Sequence, residues 1–224
     1  MNPPFTLDQL FDVFARYNAA IWPAQIVAYV LGLVGLAAVW SGRPITSRLI
    51  LFILAIMWAW NGIGYHLVFF STINPAAKIF AAIFVVQAVL LAVSATATKD
   101  LCFDIRRDFR SIASFAVIAY AVLIYPIVGV LAGHGLLAGP MFGVAPCPTT
   151  IFTIGILLMA RGRWVVWLSI IPLLWSLVGF AAAWQFAIPE DFGLALAGLV
   201  LLMFLAVGPP TLPADSRVSQ QAAV

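Results

Sequence analysis

Long runs of apolar residues, separated by short polar connections, dominate the pattern of this chain. The runs are continuous rather than alternating, so they predict α-helices and not the ten-residue strands of a membrane barrel. Most of them reach the roughly 20 residues that a helix needs to cross the hydrocarbon core of a bilayer. The pattern predicts an all-α, polytopic membrane protein whose seven-transmembrane-helix bundle spans 20–207. The helices are expected at 20–40, 49–70, 76–95, 112–132, 146–160, 164–184 and 191–207.

Three segments outside these runs are expected to differ from the spans. Residues 1–19 predict an outer amphipathic helix, because Thr6 and Gln9 have the spacing of a capping box. The apolar stripe of this helix should lie on the membrane surface. The basic segment 99–110 is predicted to form a second surface helix, which faces anionic headgroups. Residues 208–224 are expected to form a disordered cytoplasmic tail. The stripe comprises Leu7, Leu10, Phe11, Phe14 and Tyr17.

The basic residues predict the orientation of the bundle. Of the 11 Lys and Arg residues, Arg16 and Lys78 fall on one side of the predicted bundle and all the others on the opposite side. The positive-inside rule then places the N-terminus outside and the C-terminus in the cytoplasm. Since the basic residues are explained as topology signals, the net charge of +3 indicates no nucleic-acid partner.

Composition and cysteine usage agree with a membrane protein. The chain is 64% hydrophobic and 8% charged, whereas a soluble domain has about 25% charged residues. The first 18 residues lack the basic region and long apolar core of a cleavable signal peptide. Cys102 and Cys147 fall on opposite sides of the predicted membrane, so they should not form a disulfide with each other.

A weak internal similarity suggests two parallel three-helix repeats, 20–95 and 146–207, joined by the fourth helix. At an offset of 115 residues, Trp60 matches Trp175 and Gly64 matches Gly179. An intervening helix is needed to keep the two units parallel, because three spans alone would invert the second. Parallel repeats are a known plan of secondary transporters.

Polar residues gather in the outer half of the predicted bundle. A polar group in hydrocarbon needs a partner or water, so one outer-facing polar cavity could satisfy them together. The alternative is that each residue caps its own helix or forms a local hydrogen bond. The candidate solute-binding residues are Asn18, Gln25, Asn61, Tyr65, His66, Cys147, Thr149 and Thr150.

The turn around Cys147 offers a separate chemistry. If Pro148 is the first helical residue, Cys147 is the N-cap, where the positive end of the helix would stabilise a thiolate. A thiolate could bind a soft metal ion such as Cu(I) or Hg(II), with His66 as a second ligand. The alternative is a small buried residue in a tight turn.

Two further sites allow alternatives, and enzyme motifs are missing. Glu190 and Asp191 are expected to cap the last helix, or to attract a cation at the cavity mouth. His134, in a Gly-rich loop, is expected to be solvated.

The chain has no phosphate-binding Gly-rich loop, His-Glu-x-x-His or Gly-x-Ser-x-Gly motif. We therefore expect no enzymatic activity and no resident cofactor.

Two stretches resemble a known family. Phe14-Ala15-Arg16-Tyr17-Asn18 followed by Trp22-Pro23, and the stretch from Gly143 to Phe152, resemble an uncharacterised bacterial multi-pass membrane family known only as a domain of unknown function. The resemblance covers nearly the whole chain. It implies a bacterial inner-membrane protein and implies no activity, substrate or cofactor.

The leading functional hypothesis is a transporter or carrier for a small solute. It rests on the repeat and on the cluster of polar residues near the outer face. One alternative is a protein that handles soft metals or thiols through Cys147. Another is a non-transporting sensor or complex subunit that contacts a membrane partner or forms a homo-oligomer. In all three cases the lipid bilayer surrounds the chain.

Overall fold

The computed structural model describes residues 4–98, 101–135 and 137–208. Within these ranges the chain is mostly helical, and one pair of two-residue strands, β1 (Cys102–Phe103) and β2 (Ala160–Arg161), joins two connections. Two π-helical segments, Asn61–Phe69 and Tyr120–Ile124, continue helices, and 3-10 turns lie at Phe70–Thr72 and Pro189–Asp191. The α-helices are α1 (Leu7–Ala20), α2 (Ala24–Val39), α3 (Pro44–Trp60), α4 (Ala77–Ala97), α5 (Phe109–Ala119), α6 (Tyr125–Leu131), α7 (Pro146–Leu158), α8 (Trp164–Phe186) and α9 (Phe192–Val207).

Five helical stretches of the described chain are long and apolar enough to cross a membrane. Helices α1 and α2 meet at 85° and add a sixth only if the bent pair forms one broken span. Helix α7 has 13 residues, which is about 20 Å and short of the roughly 30 Å hydrocarbon core. The prediction of a helical multi-pass protein is confirmed, whereas seven full spans stay a prediction. The five stretches are Pro44–Thr72, Ala77–Ala97, Phe109–Leu131, Trp164–Phe186 and Pro189–Val207.

Helix α7 forms the centre of the bundle. Every residue from Pro148 to Leu158 is buried, and α7 contacts α3, α5, α8 and α9. Helix α5 approaches most closely at Gly155, whose carbonyl accepts a 2.5 Å hydrogen bond from Ser114 Oγ. A Cβ atom at Gly155 would lie 2.5 Å from Ile118 Cγ1. Because longer helices surround α7, its shortness exposes none of this stretch at the surface.

Helix α1 packs on the bundle instead of only resting on a membrane surface. The predicted capping box is confirmed, since Gln9 N donates to Thr6 Oγ1 at 3.3 Å and Thr6 N donates to Gln9 Oε1 at 2.8 Å. Leu10, Phe14 and Tyr17 from the apolar stripe are buried against protein. The Tyr17 hydroxyl donates to Val144 O at 2.7 Å and accepts from Trp60 Nε1 at 2.8 Å. Helix α1 therefore forms part of the core at this end.

The predicted surface helix at 99–110 is wrong for the part that is described. Leu101 and Phe103 are buried, and Phe103 pairs with Ala160 in the antiparallel β1–β2 ladder. Asp108 then accepts a 3.0 Å hydrogen bond from Ser111 N as the N-cap of α5, so the next helix begins at Phe109. Residues 99 and 100, and the predicted tail beyond Gly208, lie outside the described residues.

Three arginines in or beside this connection pair with protein groups, whereas Arg107 is exposed. Arg161 hydrogen-bonds to Asp104, and Arg106 lies 3.5 Å from Asp108. Arg110 donates to the carbonyl oxygen of Gly208 at 2.6 Å. Although burial raises the pKa of Asp108, the hydrogen bonds from Ser111 and the charge of Arg106 outweigh it and lower that pKa below its usual value.

The residues that suggested an internal repeat have different surroundings. Trp175 is buried, whereas Trp60 is 41% exposed. A Cβ atom at Gly179 would collide with Leu194 of α9, but one at Gly64 would meet only Trp60 of its own helix at ordinary distances. The repeat therefore stays a prediction.

Candidate functional site

A cavity of about 270 Å³ lies at the end of the bundle that carries α1. Helix α1, the π-helical segment after α3, the start of α7 and the later part of α8 form its walls. Several aromatic rings line it: Phe5 stacks on Phe186 with centroids 5.1 Å apart and meets the edge of Phe70 at 5.3 Å. The prediction of an outer-facing polar cavity therefore needs correction, because the observed cavity is mainly apolar.

His66 is the most unusual residue of the cavity lining. It is 1% exposed, and neither ring nitrogen has a hydrogen-bond partner within the part of the chain that the structure describes. Rings of Phe84 and Trp175 surround it at 4.8 and 5.1 Å. A buried polar group without a partner is costly and normally rare. His66 therefore has two unused hydrogen-bonding groups next to a cavity large enough for a ligand.

Trp175 and Asp191 add a donor and a carboxylate to the same cavity. The buried indole N–H of Trp175 faces the Cys147 thiol and has no other hydrogen-bond partner among the described residues. Asp191 Oδ1 accepts a 2.6 Å hydrogen bond from the hydroxyl of Tyr125, and its carboxyl group also contacts the Cys147 thiol. The cavity thus combines aromatic walls with an imidazole, an indole N–H and a carboxylate.

The predicted position of Cys147 as the N-cap is wrong. Ala145 is the N-cap and Pro146 the first residue of α7, so Cys147 is the second residue of the helix. Proline is favoured at the first position because that residue needs no N–H partner, and Pro146 satisfies this preference before Pro148 can. A carboxylate beside the thiol disfavours the thiolate that the soft-metal hypothesis required.

The eight predicted solute-binding residues do not share one cavity. Tyr65, His66 and Cys147 line the cavity beside α1, and Gln25 lines a different one. The ligand-binding role of all eight residues stays a prediction.

The remaining predicted residues donate internal hydrogen bonds, although the amide oxygens of Asn18 and Asn61 have no partner among the described residues. Asn61 Nδ2 donates to Thr149 Oγ1 at 3.3 Å and to Met57 O at 2.8 Å, and Thr150 Oγ1 donates to Pro146 O at 2.9 Å. Asn18 Nδ2 donates to Leu137 O and Gly139 O, both at 2.9 Å. These side chains hold the start of α7 and the loop before it, because backbone carbonyls there need partners within the protein.

The second cavity, of about 350 Å³, lies between α2, α6 and the loop that precedes α7. Gln25, Tyr29, Tyr125 and Glu190 line it. Glu190 is fully buried, and its Oε1 lies 2.7 Å from His134 Nδ1. Tyr125 separates the two cavities, since its ring lines this one while its hydroxyl reaches Asp191 in the other.

Two predictions about this region need correction. His134 is not solvated: its side chain is 10% exposed, stacks on Phe11 with centroids 4.2 Å apart and pairs with Glu190. Glu190 and Asp191 do not cap α9 through their side chains. Their carboxylates turn into the bundle, where His134 and Tyr125 offer partners that a helix end at the surface lacks.

No group of three or more His, Cys, Asp and Glu side chains within the described ranges could hold a metal ion. The structure therefore offers no support for the soft-metal hypothesis at Cys147 and His66.

Sequence analysis missed the roles of Trp175, Tyr125 and Asp191 as parts of the cavity walls. In the sequence Trp175 was only a marker of the repeat, and Asp191 was expected to cap a helix or to attract a cation at the cavity mouth. One signal was present: Pro126 directly follows Tyr125 within an apolar run, and a proline inside a helix frees backbone groups and disturbs the local geometry. The second π-helical segment, Tyr120–Ile124, lies immediately before Tyr125.

Five to six apolar helices able to span a membrane, arranged around a buried central helix with internal cavities, define a helical multi-pass membrane protein. A family model described as "Family of unknown function (DUF6064)" matches residues 7–208. The chain belongs to this family, which confirms the resemblance to an uncharacterised family. No curated protein and no solved structure matches the chain.

Proposed function

We propose that this protein is a membrane carrier that binds a small amphipathic solute in the cavity beside α1. The observation that carries the proposal is His66, whose two nitrogens have no partners although the side chain is 1% exposed and lines the cavity. A ligand with a hydrogen-bonding end would satisfy these atoms, and its apolar body would contact the aromatic walls. Ligand sites in proteins commonly combine apolar walls with a few polar groups in this way.

The dimensions of the cavity support a ligand of modest size. Its volume of about 270 Å³ is nearly twice that of an engineered 150 Å³ cavity that takes benzene. A molecule the size of a bicyclic ring system or an aromatic amino acid would fit. The Trp175 N–H favours an acceptor on this molecule, and the Asp191 carboxylate favours a donor.

The π-helical segment Asn61–Phe69 supports a functional role for this wall. A π-helix is rare, and in most proteins it occurs as a single turn, often at a functional site. This segment brings Tyr65 and His66 to the cavity in adjacent positions. Helix α1 covers the cavity at its outer end, so a solute would enter when α1 moves away from the π-helical segment.

The distribution of basic residues supports an inner-membrane location with the N-terminus outside. The α2–α3, α4–α5 and α7–α8 connections carry Arg43, Arg107 and Arg163, and β1–β2 pairing joins the last two connections. Arg16 and Lys78 are exposed at the opposite end. Under the positive-inside rule the Arg-rich end faces the cytoplasm, and the cavity beside α1 then faces outward.

A cavity-filling substitution tests this proposal. Ala182 lines the cavity from α8 and is half-buried, so Ala182→Phe should occupy the space that a solute needs. A library of small amphipathic compounds is first screened for compounds that raise the melting temperature of the purified wild-type protein. Ala182→Phe should lose that stabilisation, and proteoliposomes containing it should lose uptake of the same compounds.

The matched control is Ala82→Phe, which places the same ring on an exposed position of α4. It should bind and transport as the wild type does. Binding and uptake that persist in Ala182→Phe would contradict the proposed site. Binding without uptake in the wild type would favour the alternative of a sensor or complex subunit.

A further inference from the structure

The second cavity has unused hydrogen-bonding groups of one kind. Among its lining residues the buried side-chain atoms without partners are Glu190 Oε2 and Gln25 Oε1. Both are oxygen acceptors, and both side chains are at least nine-tenths buried, with exposures of 0% and 5%. Buried oxygens without partners are matched by a cation or a strong donor, because leaving them unpaired is costly.

The orientation of Gln25 follows from its hydrogen bond. Its Nε2 donates to Asn18 O at 2.7 Å, so the remaining amide atom, Oε1, is the acceptor that is left over. Glu190 is fixed in a similar way, since Oε1 pairs with His134 Nδ1 at 2.7 Å and leaves Oε2 unused. Both unused oxygens are therefore held in place by bonds to the other atom of the same group.

Gly129 leaves room beside the carboxylate. A Cβ atom at this position of α6 would lie 3.2 Å from Glu190 Oε1, which is tighter than most contacts. A residue without a side chain therefore allows α6 to pass close to the carboxylate, and both residues line the cavity.

We propose that the second cavity binds a small monovalent cation through the carboxylate of Glu190 and the amide oxygen of Gln25. One available carboxylate and one amide oxygen suit a singly charged ion. Calcium takes six to eight oxygens, several of them from carboxylates, and the described lining does not offer such a set. This site is separate from the proposed solute cavity and does not depend on solute binding there.

Several titratable side chains surround Glu190 at this cavity. His134 pairs with Glu190, the Tyr120 hydroxyl donates to Glu190 O at 2.8 Å, and Asp191 binds Tyr125 on the far side of the wall. Tyr29 also lines the space. The cation would therefore share the Glu190 carboxylate with His134, which occupies one of its two oxygens.

Thermal unfolding at constant ionic strength tests the proposal. The purified protein is held in N-methylglucamine chloride, which is replaced stepwise by NaCl, KCl or methylammonium chloride. At least one of these cations should raise the melting temperature in a saturable manner, as binding to the native state alone requires. Glu190→Gln should weaken the apparent affinity by about 30-fold or more, since it removes the charge that faces the cation.

Two further variants keep the result decisive. Gln25→Met preserves the length of the side chain but removes the amide oxygen, and should weaken the affinity by about tenfold; it decides the outcome if Glu190→Gln does not fold. Asp12→Asn is the matched control, because Asp12 is exposed on α1, and it should leave the cation response unchanged. The proposal is overturned if no cation gives a saturable shift, if both cavity variants respond as the wild type does, or if only a change in pH stabilises the protein.

Discussion

At the scale of single residues, the buried threonines of the central helix donate to backbone carbonyls one turn earlier and link α7 to neighbouring elements. Trp58 Nε1 donates to Thr153 Oγ1 at 2.9 Å, and both side chains are fully buried. Thr153 Oγ1 in turn donates to Thr149 O one turn earlier, at 2.9 Å. One hydroxyl thus serves the indole of α3 and the backbone of α7, and it joins the two helices.

Replacing Thr153 by valine should remove this link while preserving shape. The buried indole N–H of Trp58 then loses its acceptor, and we expect a loss of about 1 kcal/mol in the free energy of unfolding, the usual size of such a bond between membrane helices. Reversible denaturant unfolding in detergent micelles measures it.

Thr96→Val is the matched control for this substitution. Thr96 is exposed, and its hydroxyl donates to Val93 O of its own helix, so the stability should hardly change. Equal losses in the two variants would show that Thr153 does not link α3 to α7 energetically.

The polar residues also show what a sequence can and cannot indicate at this scale. The sequence correctly places Asn61 and Thr149 close to each other in space, because the spans put them at the same depth. It does not reveal that their polar atoms bind each other and the carbonyl of Met57. Orientation about a helix axis depends on which neighbour each face meets, and an apolar sequence with a low amphipathic signal does not specify it.

At the scale of elements, the contact between α5 and α7 depends on a residue without a side chain. At Gly155 the backbone of α7 comes close enough for Ser114 Oγ to reach its carbonyl, and Ile118 occupies the place of a Cβ atom. Small residues permit such close approaches between membrane helices.

Gly155→Ala should therefore destabilise the protein even though alanine favours helices. The added methyl group forces α5 and α7 apart, which costs about 1–3 kcal/mol and outweighs the gain of about 1 kcal/mol in helix propensity. We expect a lower melting temperature of the purified protein.

Gly35→Ala provides the comparison in α2. A Cβ atom there would lie 3.7 Å from Ile53 Cδ1, an ordinary contact, so the melting temperature should stay the same or rise. A Gly155→Ala variant as stable as Gly35→Ala would contradict the close approach of the two helices.

Helix boundaries were predicted well where local chemistry sets them. The Thr6 capping box starts α1 as expected, and α4, α8 and α9 begin within a few residues of the predicted positions. The connection between α4 and α5 was predicted wrongly, because Phe103 pairs with β2 from a segment almost 60 residues further along the chain. No local pattern encodes that partner.

At the scale of the whole molecule, the basic residues of three connections share one end of the bundle. The amide of Phe103 donates to Ser47 Oγ at 3.2 Å, and Asp104 hydrogen-bonds to Arg161. These contacts tie the α4–α5 connection to the start of α3 and to the α7–α8 connection. The three connections therefore contact one another at the same end of the bundle.

Cysteine accessibility should reveal the orientation that this arrangement implies. Thr72→Cys places a thiol on the exposed α3–α4 connection, and Ser41→Cys places one on the exposed α2–α3 connection. A membrane-impermeant maleimide should label Thr72→Cys in intact bacterial cells and Ser41→Cys only after permeabilisation. The unmodified chain gives the background from Cys102 and Cys147, and the reverse labelling pattern would invert the proposed topology.

The sequence by itself determined the class of protein and the approximate positions of its helices. Hydrophobic length and the distribution of Arg and Lys are properties of the chain in one dimension, and the bilayer imposes them through the cost of burying charge and unpaired backbone. The tertiary structure alone decided that α7 is enclosed on all sides, that the predicted polar cluster divides between two cavities, and that Glu190 meets His134. These outcomes depend on which helix faces pack together, and nearly uniform apolar helices leave that choice to contacts between distant parts of the chain.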